Sequence, residues 1–395
     1  MGRVVRAVGA RRQRWRWFNE IHVKLASTVL VFCVAALVAV GLVMLYSSSM
    51  DEHGARMLMQ QLAWCGLGFM VCGVAACCDY RLLKKYSWAI FILALVLLAL
   101  VWAPDVGRRV NGASRWIAYG PVGLQPSEFA KLALIIILAH YGEHYQRKMS
   151  TFWRGLIIPG LIIAPVLALI FVEPDRGTTI LAACVSAIML VVAGVRLRFV
   201  IVPVFLGVAF LAYSLTHDSM RSGRIYSWLH IEQTRHGVGM QAYEALLALG
   251  SGGVTGKGLG NGRQKLGFVP EHNTDFILPV IGEELGLVTT LSIVAFFVAF
   301  TAAGLTIAGR ARDTFGLLLG AGITCLIGVQ AFINIAVVTS ILPNKGMPLP
   351  FISYGGSNLL AMLLMTGILI SIARNSPEKS TYSAPIIEDL PEHAS

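Results

Sequence analysis

The run LASTVLVFCVAALVAVGLVMLY, residues 25–46, is apolar for 22 positions and contains no Asp, Glu, Lys or Arg. At about 1.5 Å of rise per residue, a helix of this length crosses the roughly 30 Å hydrocarbon core of a bilayer. A cleaved leader would have an apolar core of only about 7–15 residues, so the run is expected to remain as a first helix. Nine more apolar stretches follow, at 57–78, 87–103, 127–145, 155–172, 177–195, 199–216, 277–307, 314–341 and 352–373. A lone strand would leave backbone groups unpaired in lipid, so helices are expected throughout. The expected fold is all-α: a polytopic integral membrane protein with about ten transmembrane helices and a large extracytoplasmic loop, 217–276, between helices 7 and 8.

Composition points the same way. Only 13% of the 395 residues are charged and 56% are hydrophobic, whereas a soluble domain carries roughly 25% charged residues. Disordered, collagen-like and disulfide-rich secreted classes are excluded. The seven cysteines lie inside apolar runs without a CxxC pair and read as small buried hydrophobes.

The net charge of +11 is concentrated at the start, where Arg3, Arg6, Arg11, Arg12, Arg14 and Arg16 precede the first acid, Glu20. This arm, 1–24, reads as a cytoplasmic segment lying on anionic membrane lipid, with no nucleic-acid partner expected. An even number of spans places both termini on one side, and a cytoplasmic assignment puts most Lys and Arg in the inner segments. A membrane core is expected over 25–375, followed by a polar, disordered cytoplasmic tail, 376–395.

Against this apolar background the polar clusters stand out. In Gln125-Pro-Ser-Glu-Phe-Ala-Lys131, Pro126 suits the first helical position and Ser127 suits a cap. Glu128 and Lys131 then share a helix face, either as a neutralising ion pair or as one wall of a substrate site. Glu173-Pro-Asp-Arg-Gly-Thr-Thr179 packs three charges into a tight turn. Arg176 is there either for solvation or to bind a phosphate.

The glycine-rich stretch 250–262 lacks the spacing of a P-loop and has no preceding strand. Its permissive backbone and the bases Lys257, Arg263 and Lys265 suit a polyanion such as pyrophosphate, or lipid headgroups. Asp275 directly precedes an apolar helix, as an N-cap or as a carboxylate at the dry membrane edge, raised toward a general-base value. Glu283 and Glu284 lie deeper in that span, and at least one is expected to face protein or water. His140-Tyr-Gly-Glu-His144 has the HxxEH spacing of a zinc site but no third ligand, and no metal site is expected there. Leu342–Ser357 is an irregular, Pro- and Gly-rich segment whose single charge is Lys345.

Together the motifs NGASRWI (111–117), QPSEFAK (125–131), EPDRGT (173–178), GSGGVTGKGLGNGRQKLGFVPEHNTDFI (250–277), GEELG (282–286) and LPNKGMPLPFISYGGS (342–357) resemble the SEDS family of shape, elongation, division and sporulation proteins. NGASRWI and GNGRQKLGFVPE look more like the division-type members than the elongation-type members. The resemblance implies a membrane glycosyltransferase that polymerises lipid II, a disaccharide-peptide on undecaprenyl pyrophosphate, at the outer face of the bacterial cytoplasmic membrane. It implies septal wall synthesis, a class B penicillin-binding protein transpeptidase as partner, and contact with other division proteins.

In that family the acid of the TDF triplet is catalytic, which here is Asp275. Asp275 is then a general base or a ligand of a divalent cation, Mg or Mn, near the pyrophosphate. Arg115, Lys131, Arg176 and Lys345 are the candidates for binding that anion, with Glu128 holding Lys131 in place. Two departures from the family pattern are visible: Ala245 stands where a serine is usual four residues after Gln241, and Leu278-Pro279 follows TDFI, which is expected to kink the start of span eight. A lipid II flippase and an elongation-type polymerase are the alternative readings.

Overall fold

The structure is a computed structural model that describes residues 2–53, 55–103, 107–110, 113–119, 122–216, 219–237, 239–262 and 273–376. Its helices are α1 Gly2–His53, α2 Arg56–Cys77, α3 Arg81–Lys85, α4 Ser87–Leu100, α5 Pro126–His144, α6 Ile158–Val172, α7 Arg176–Val192, α8 Leu197–Thr216, α9 Ser219–Leu229, α10 Met240–Ser251, α11 Ile277–Gly309, α12 Thr314–Val338 and α13 Gly356–Arg374. Every apolar stretch of the sequence overlaps one of them. Helical segments in α1, α2, Trp153–Val172, α11, α12 and α13 are each long and apolar enough to cross a bilayer, and α4, α7 and Leu197–Gly207 are shorter apolar helices. The protein is a membrane protein. The basic arm is continuous with the first span, since α1 begins at Gly2.

The helical expectation needs three adjustments. Between α4 and α5 the chain forms a small antiparallel sheet, β1 Gly107–Val110, β2 Ala113–Tyr119 and β3 Val122–Leu124, in the order β1-β2-β3. Its registers pair Gly107 with Ile117 and Ile117 with Leu124. The ninth apolar stretch stops being helical at Val338, because Ser340 turns to a φ of 57°. The tenth starts as a helix only at Gly356: Phe351 has a φ of 66°, and the amides of Ile352 and Ser353 bond to Leu349 O in a turn. Apolarity marks burial there, not helix.

The core is centred on α5, α12 and α13. Leu134, Ile135, Ile136 and Ile137 of α5 are fully buried, as are Leu326 and Ile327 of α12 and Leu363 and Leu369 of α13. Without a hydrophobic drive between helices in lipid, close approach depends on small residues. Gly367 of α13 illustrates this, because a Cβ there would overlap Cys72 O of α2.

At one end of the bundle, Asp313 caps α12 through Gly316 N at 2.7 Å and accepts from Tyr80 Oη and Arg81 Nε at 2.9 Å each. Burial pushes the Asp313 carboxyl up, but those hydrogen bonds outweigh it and hold the group below its ordinary value. Burial and then Asp313 push the Tyr80 hydroxyl up to about 12. Glu143 of the HxxEH stretch pairs with Lys84 at 2.6 Å at the same end, so this acid has a structural partner. An apolar cavity of about 650 Å³ lies between α2, α4, α5 and α13, lined by residues such as Val71, Leu93, Ala133 and Leu364. The polar chemistry lies elsewhere.

Candidate active site

Pro126 opens α5 at a position where a missing N–H costs nothing. The cap residue is Gln125, which makes no side-chain cap bond, and Ser127 is buried without a hydrogen-bond partner among the described residues, so it does not serve as the expected cap. One turn on, Glu128 and Lys131 are each only 3% exposed. Lys131 Nζ donates to Glu128 Oε1 at 3.0 Å and to Gln330 Oε1 of α12 at 3.2 Å. Asn358 Nδ2 of α13 donates to Glu128 Oε2 at 3.2 Å. The pair is thus an interior ion pair held by three helices.

Gln330 and Asn334 lie one turn apart on α12 and are both buried. Gln330 Nε2 donates to Pro348 O at 3.0 Å. Asn334 Nδ2 donates to Asp275 O at 2.8 Å and to Met347 O at 2.6 Å. Two amides on one helix face therefore join the Lys131 pair to the irregular segment before α13 and to Asp275. Sequence reasoning missed Gln330, Asn334 and Asn358. The available signal was an amide pair four apart inside an apolar span, where polar side chains normally face protein or a pathway.

Asp275 is half-buried in the turn before α11. The N-cap of that helix is Phe276, so Asp275 is not the cap and its carboxylate has another place. Gly346 lies against it: a Cβ at Gly346 would overlap Asp275 Oδ2. The backbone around Asp275 is fixed from several sides. Ser353 Oγ donates to Thr274 O at 2.5 Å, Tyr354 N donates to Asn273 O at 2.9 Å, and Ser48 of α1 bonds to the Asn273 side chain. Gln241 of α10 accepts from Asn344 Nδ2 at 2.8 Å, while Ala245, in place of the family serine, is fully buried. Pro279 falls in the first turn of α11, where its missing N–H has no intrahelical partner to lose, so the expected kink is absent there.

The break in α11 comes at Gly286 instead, with φ 77° and ψ −174°. It frees backbone carbonyls that the glycine-rich loop satisfies: Lys257 N bonds to Glu283 O and Gly258 N to Glu284 O, each at 3.0 Å, and Leu287 N bonds back to Gly253 O at 3.0 Å. Lys257 Nζ pairs with the buried Glu283 at 2.8 Å. Glu284 Oε2 accepts from Ser47 Oγ at 2.5 Å and from Gly260 N at 3.1 Å. Both acids therefore face protein. Lys257, a candidate for an anion, is committed to Glu283, and Arg263 and Lys265 lie outside the described residues.

Across the site, Arg115 of β2 donates from Nε to Glu173 O at 3.1 Å and from Nη2 to Pro174 O at 2.7 Å, clamping the turn between α6 and α7. Asp175 caps α7, accepting from Thr178 N at 3.1 Å and Thr178 Oγ1 at 2.9 Å. The Arg176 guanidinium lies over the Phe171 ring at 4.9 Å. Gly177 is open toward Gly346 O and the Met347 side chain, each 3.5 Å from where a Cβ would stand. The start of α7 thus packs on the same segment that backs Asp275. Glu173 is fully buried, and neither carboxyl oxygen has a hydrogen-bond partner among the described residues. Burial first, and then Asp175, push its carboxyl up to about 8, with Arg115 opposing. Among the described residues no three His, Cys, Asp or Glu side chains gather as they would to hold a metal ion.

Residues 27–378 match the cell cycle protein family of FtsW, RodA and SpoVE. The chain belongs to that family. Among FtsW/RodA/SpoVE relatives, a protein of Trichlorobacter lovleyi named probable peptidoglycan glycosyltransferase FtsW is 39% identical over 351 residues, covering 87% of this chain and 92% of that protein. Stage V sporulation protein E of Bacillus subtilis is 34% identical over 354 residues, covering 88% of this chain and 97% of its own. Among solved structures, a chain of a peptidoglycan synthase complex described as coordinating polymerization and crosslinking superposes with a TM-score of 0.75 at 27% identity, over 89% of this chain and 98% of that one. The rod shape determining protein RodA of Thermus thermophilus gives a TM-score of 0.67 at 28% identity, over 89% of this chain and 97% of that one. The family expected from the sequence motifs is the family found.

Proposed function

We propose that this protein is a peptidoglycan glycosyltransferase that polymerises lipid II at the outer face of the bacterial cytoplasmic membrane, in septal wall synthesis. The observation that carries the reading is Asp275. It is an acid placed at the start of a membrane helix, wedged against Gly346, its backbone tied by Asn334 to the helix that also holds Lys131. The names of the FtsW relatives support the reaction and the septal role.

In the proposed reaction Asp275 takes the proton from the 4-hydroxyl of the acceptor sugar. The oxygen attacks the anomeric carbon of the donor and forms the glycosidic bond. The bond from that carbon to the polyprenyl pyrophosphate breaks, and the pyrophosphate leaves with the electron pair. Lys131, Arg176 and Lys345 are the cations we assign to the developing phosphate charge, and Glu128 orients Lys131. Arg115 serves by holding the turn that carries Arg176. Two lipid-linked substrates confined to one membrane face supply much of the remaining rate through proximity. The likeness to a chain from a synthase complex that polymerises and crosslinks supports a class B penicillin-binding protein as partner.

The test is labelled lipid II incubated with purified protein, with and without its transpeptidase partner. The expected result is glycan polymer from the wild type and none from a folded Asp275→Ala variant. Polymer from that variant at the wild-type rate would sink the role of Asp275. Transfer of lipid II across vesicles with no polymer would favour the flippase instead.

A further inference from the structure

Glu173 has no part in the reaction just described, yet its setting is unusual. It stands in the turn between α6 and α7, 0% exposed, with neither carboxyl oxygen hydrogen-bonded among the described residues. A buried carboxylate in that state is costly unless paired, and the usual escape is to stay protonated. The cation at hand does not pair with it: Arg115 directs Nε and Nη2 at the backbone carbonyls of Glu173 and Pro174. The carboxylate two residues on, Asp175, already caps α7 and is satisfied by Thr178. Two carboxyls this close in a dry turn do not both ionise readily. The turn also matters to the site, because the start of α7 rests on Gly346 and Met347, and Gly346 lies against the Asp275 carboxylate.

We propose that Glu173 is a positioning residue that works as a neutral carboxylic acid, keeping Arg115 on the turn's carbonyls and the turn seated against the segment behind Asp275. Ionised, the carboxylate would compete for the Arg115 guanidinium and repel Asp175, loosening that seat. Among the described residues, the charged groups carried by the surrounding elements are Arg115 on β2, Asp175 and Arg176 at the start of α7, and Lys345 on the segment before α13. Burial and Asp175 favour the neutral form of Glu173, and Arg115 opposes it, with the balance near pH 8.

The direction follows from a raised carboxyl value. The acid is neutral below about pH 8 and charged above it, so the seat loosens as pH rises. The activity readout rests on the glycosyltransferase reading, and the spectroscopic one does not. In polymerisation assays the wild-type turnover is expected to fall to about a tenth between pH 7 and pH 9, the share still protonated one unit above the titration point. Glu173→Gln, neutral at every pH, is expected to keep the pH 7 rate and lose that alkaline limb.

Independently, infrared difference spectra of the detergent-solubilised full chain are expected to show a protonated-carboxyl C=O band that fades over the same pH range and is missing in Glu173→Gln. An identical alkaline limb in the variant overturns the positioning role. Wild-type spectra without a titrating band overturn the neutral acid, and this measurement needs no variant to fold. Absence of polymer from the wild type at every pH overturns the functional reading instead, and the infrared titration then decides Glu173 alone.

Discussion

Removing the Lys131 ammonium would strand the Glu128 carboxylate in the interior with Asn358 as its remaining hydrogen-bond partner. Breaking a buried pair from one side costs about 3–5 kcal/mol, whereas replacing both members with neutral groups is far less damaging. Lys131→Met is therefore expected to lower the detergent-solubilised melting temperature sharply. The double variant Glu128→Gln/Lys131→Met is expected to recover most of the loss while still making no polymer. Equal melting of the single and double variants would show that the pair is not coupled. The pair itself was legible from its three-residue spacing on a helix that starts at Pro126. The amides that complete the network were not, because Gln330 and Asn334 are neutral and a neutral polar residue in an apolar run is ambiguous. Asp275 was legible as a candidate, but its freedom from capping α11 appears only when Phe276 is seen to take that place.

At the scale of elements, the glycine-rich loop and the broken α11 make one unit. Gly286 has a φ of 77°, and a Cβ there would meet the backbone of Val254, Thr255 and Gly256. Gly286→Ala is expected to cost about 1–3 kcal/mol through backbone strain and to lift the loop off α11. Limited proteolysis checks this: cleavage within 252–262 should accelerate strongly, and unchanged cleavage would contradict the docking. Pro279→Ala, by contrast, breaks no helical bond, and because Pro279 is buried it is expected to cost about 1 kcal/mol through lost packing while leaving the loop docked. The long apolar runs made the helices readable because a span must satisfy its own backbone in lipid. The sheet between α4 and α5 escaped because its strands are 4, 7 and 3 residues long and carry Gly and Arg. The break at Gly286 escaped because a lone glycine in an apolar run does not reveal a second segment reaching in to bond the freed carbonyls.

The molecule as a whole gathers the proposed site at one end and structural ion pairs at the other. Asp313, Arg81, Lys84 and Glu143 lock α3 to the ends of α5 and α12, whereas Asp275, Lys131 and the turn at Glu173 share the opposite end. The positive-inside reading assigns the former end and both termini to the cytoplasm. In a variant without the native cysteines, Gly2→Cys and Ser376→Cys are expected to react with a membrane-impermeant thiol reagent only after the membrane is opened. Val254→Cys, which replaces a side chain 63% exposed, is expected to react in intact cells. Labelling of one terminus from outside would reverse the assignment. The α12 amides carry one more implication, for how such a site tolerates evolutionary drift. Asn334 and Gln330 hold Asp275, Met347 and Pro348 by their carbonyl oxygens, an atom every residue possesses. For these contacts the loop can change its side chains without erasing the bond, whereas an acid in place of either amide would replace the donor with an acceptor facing the carbonyl it holds. Inheritance of the site's geometry is therefore brittle in the helix and forgiving in the loop.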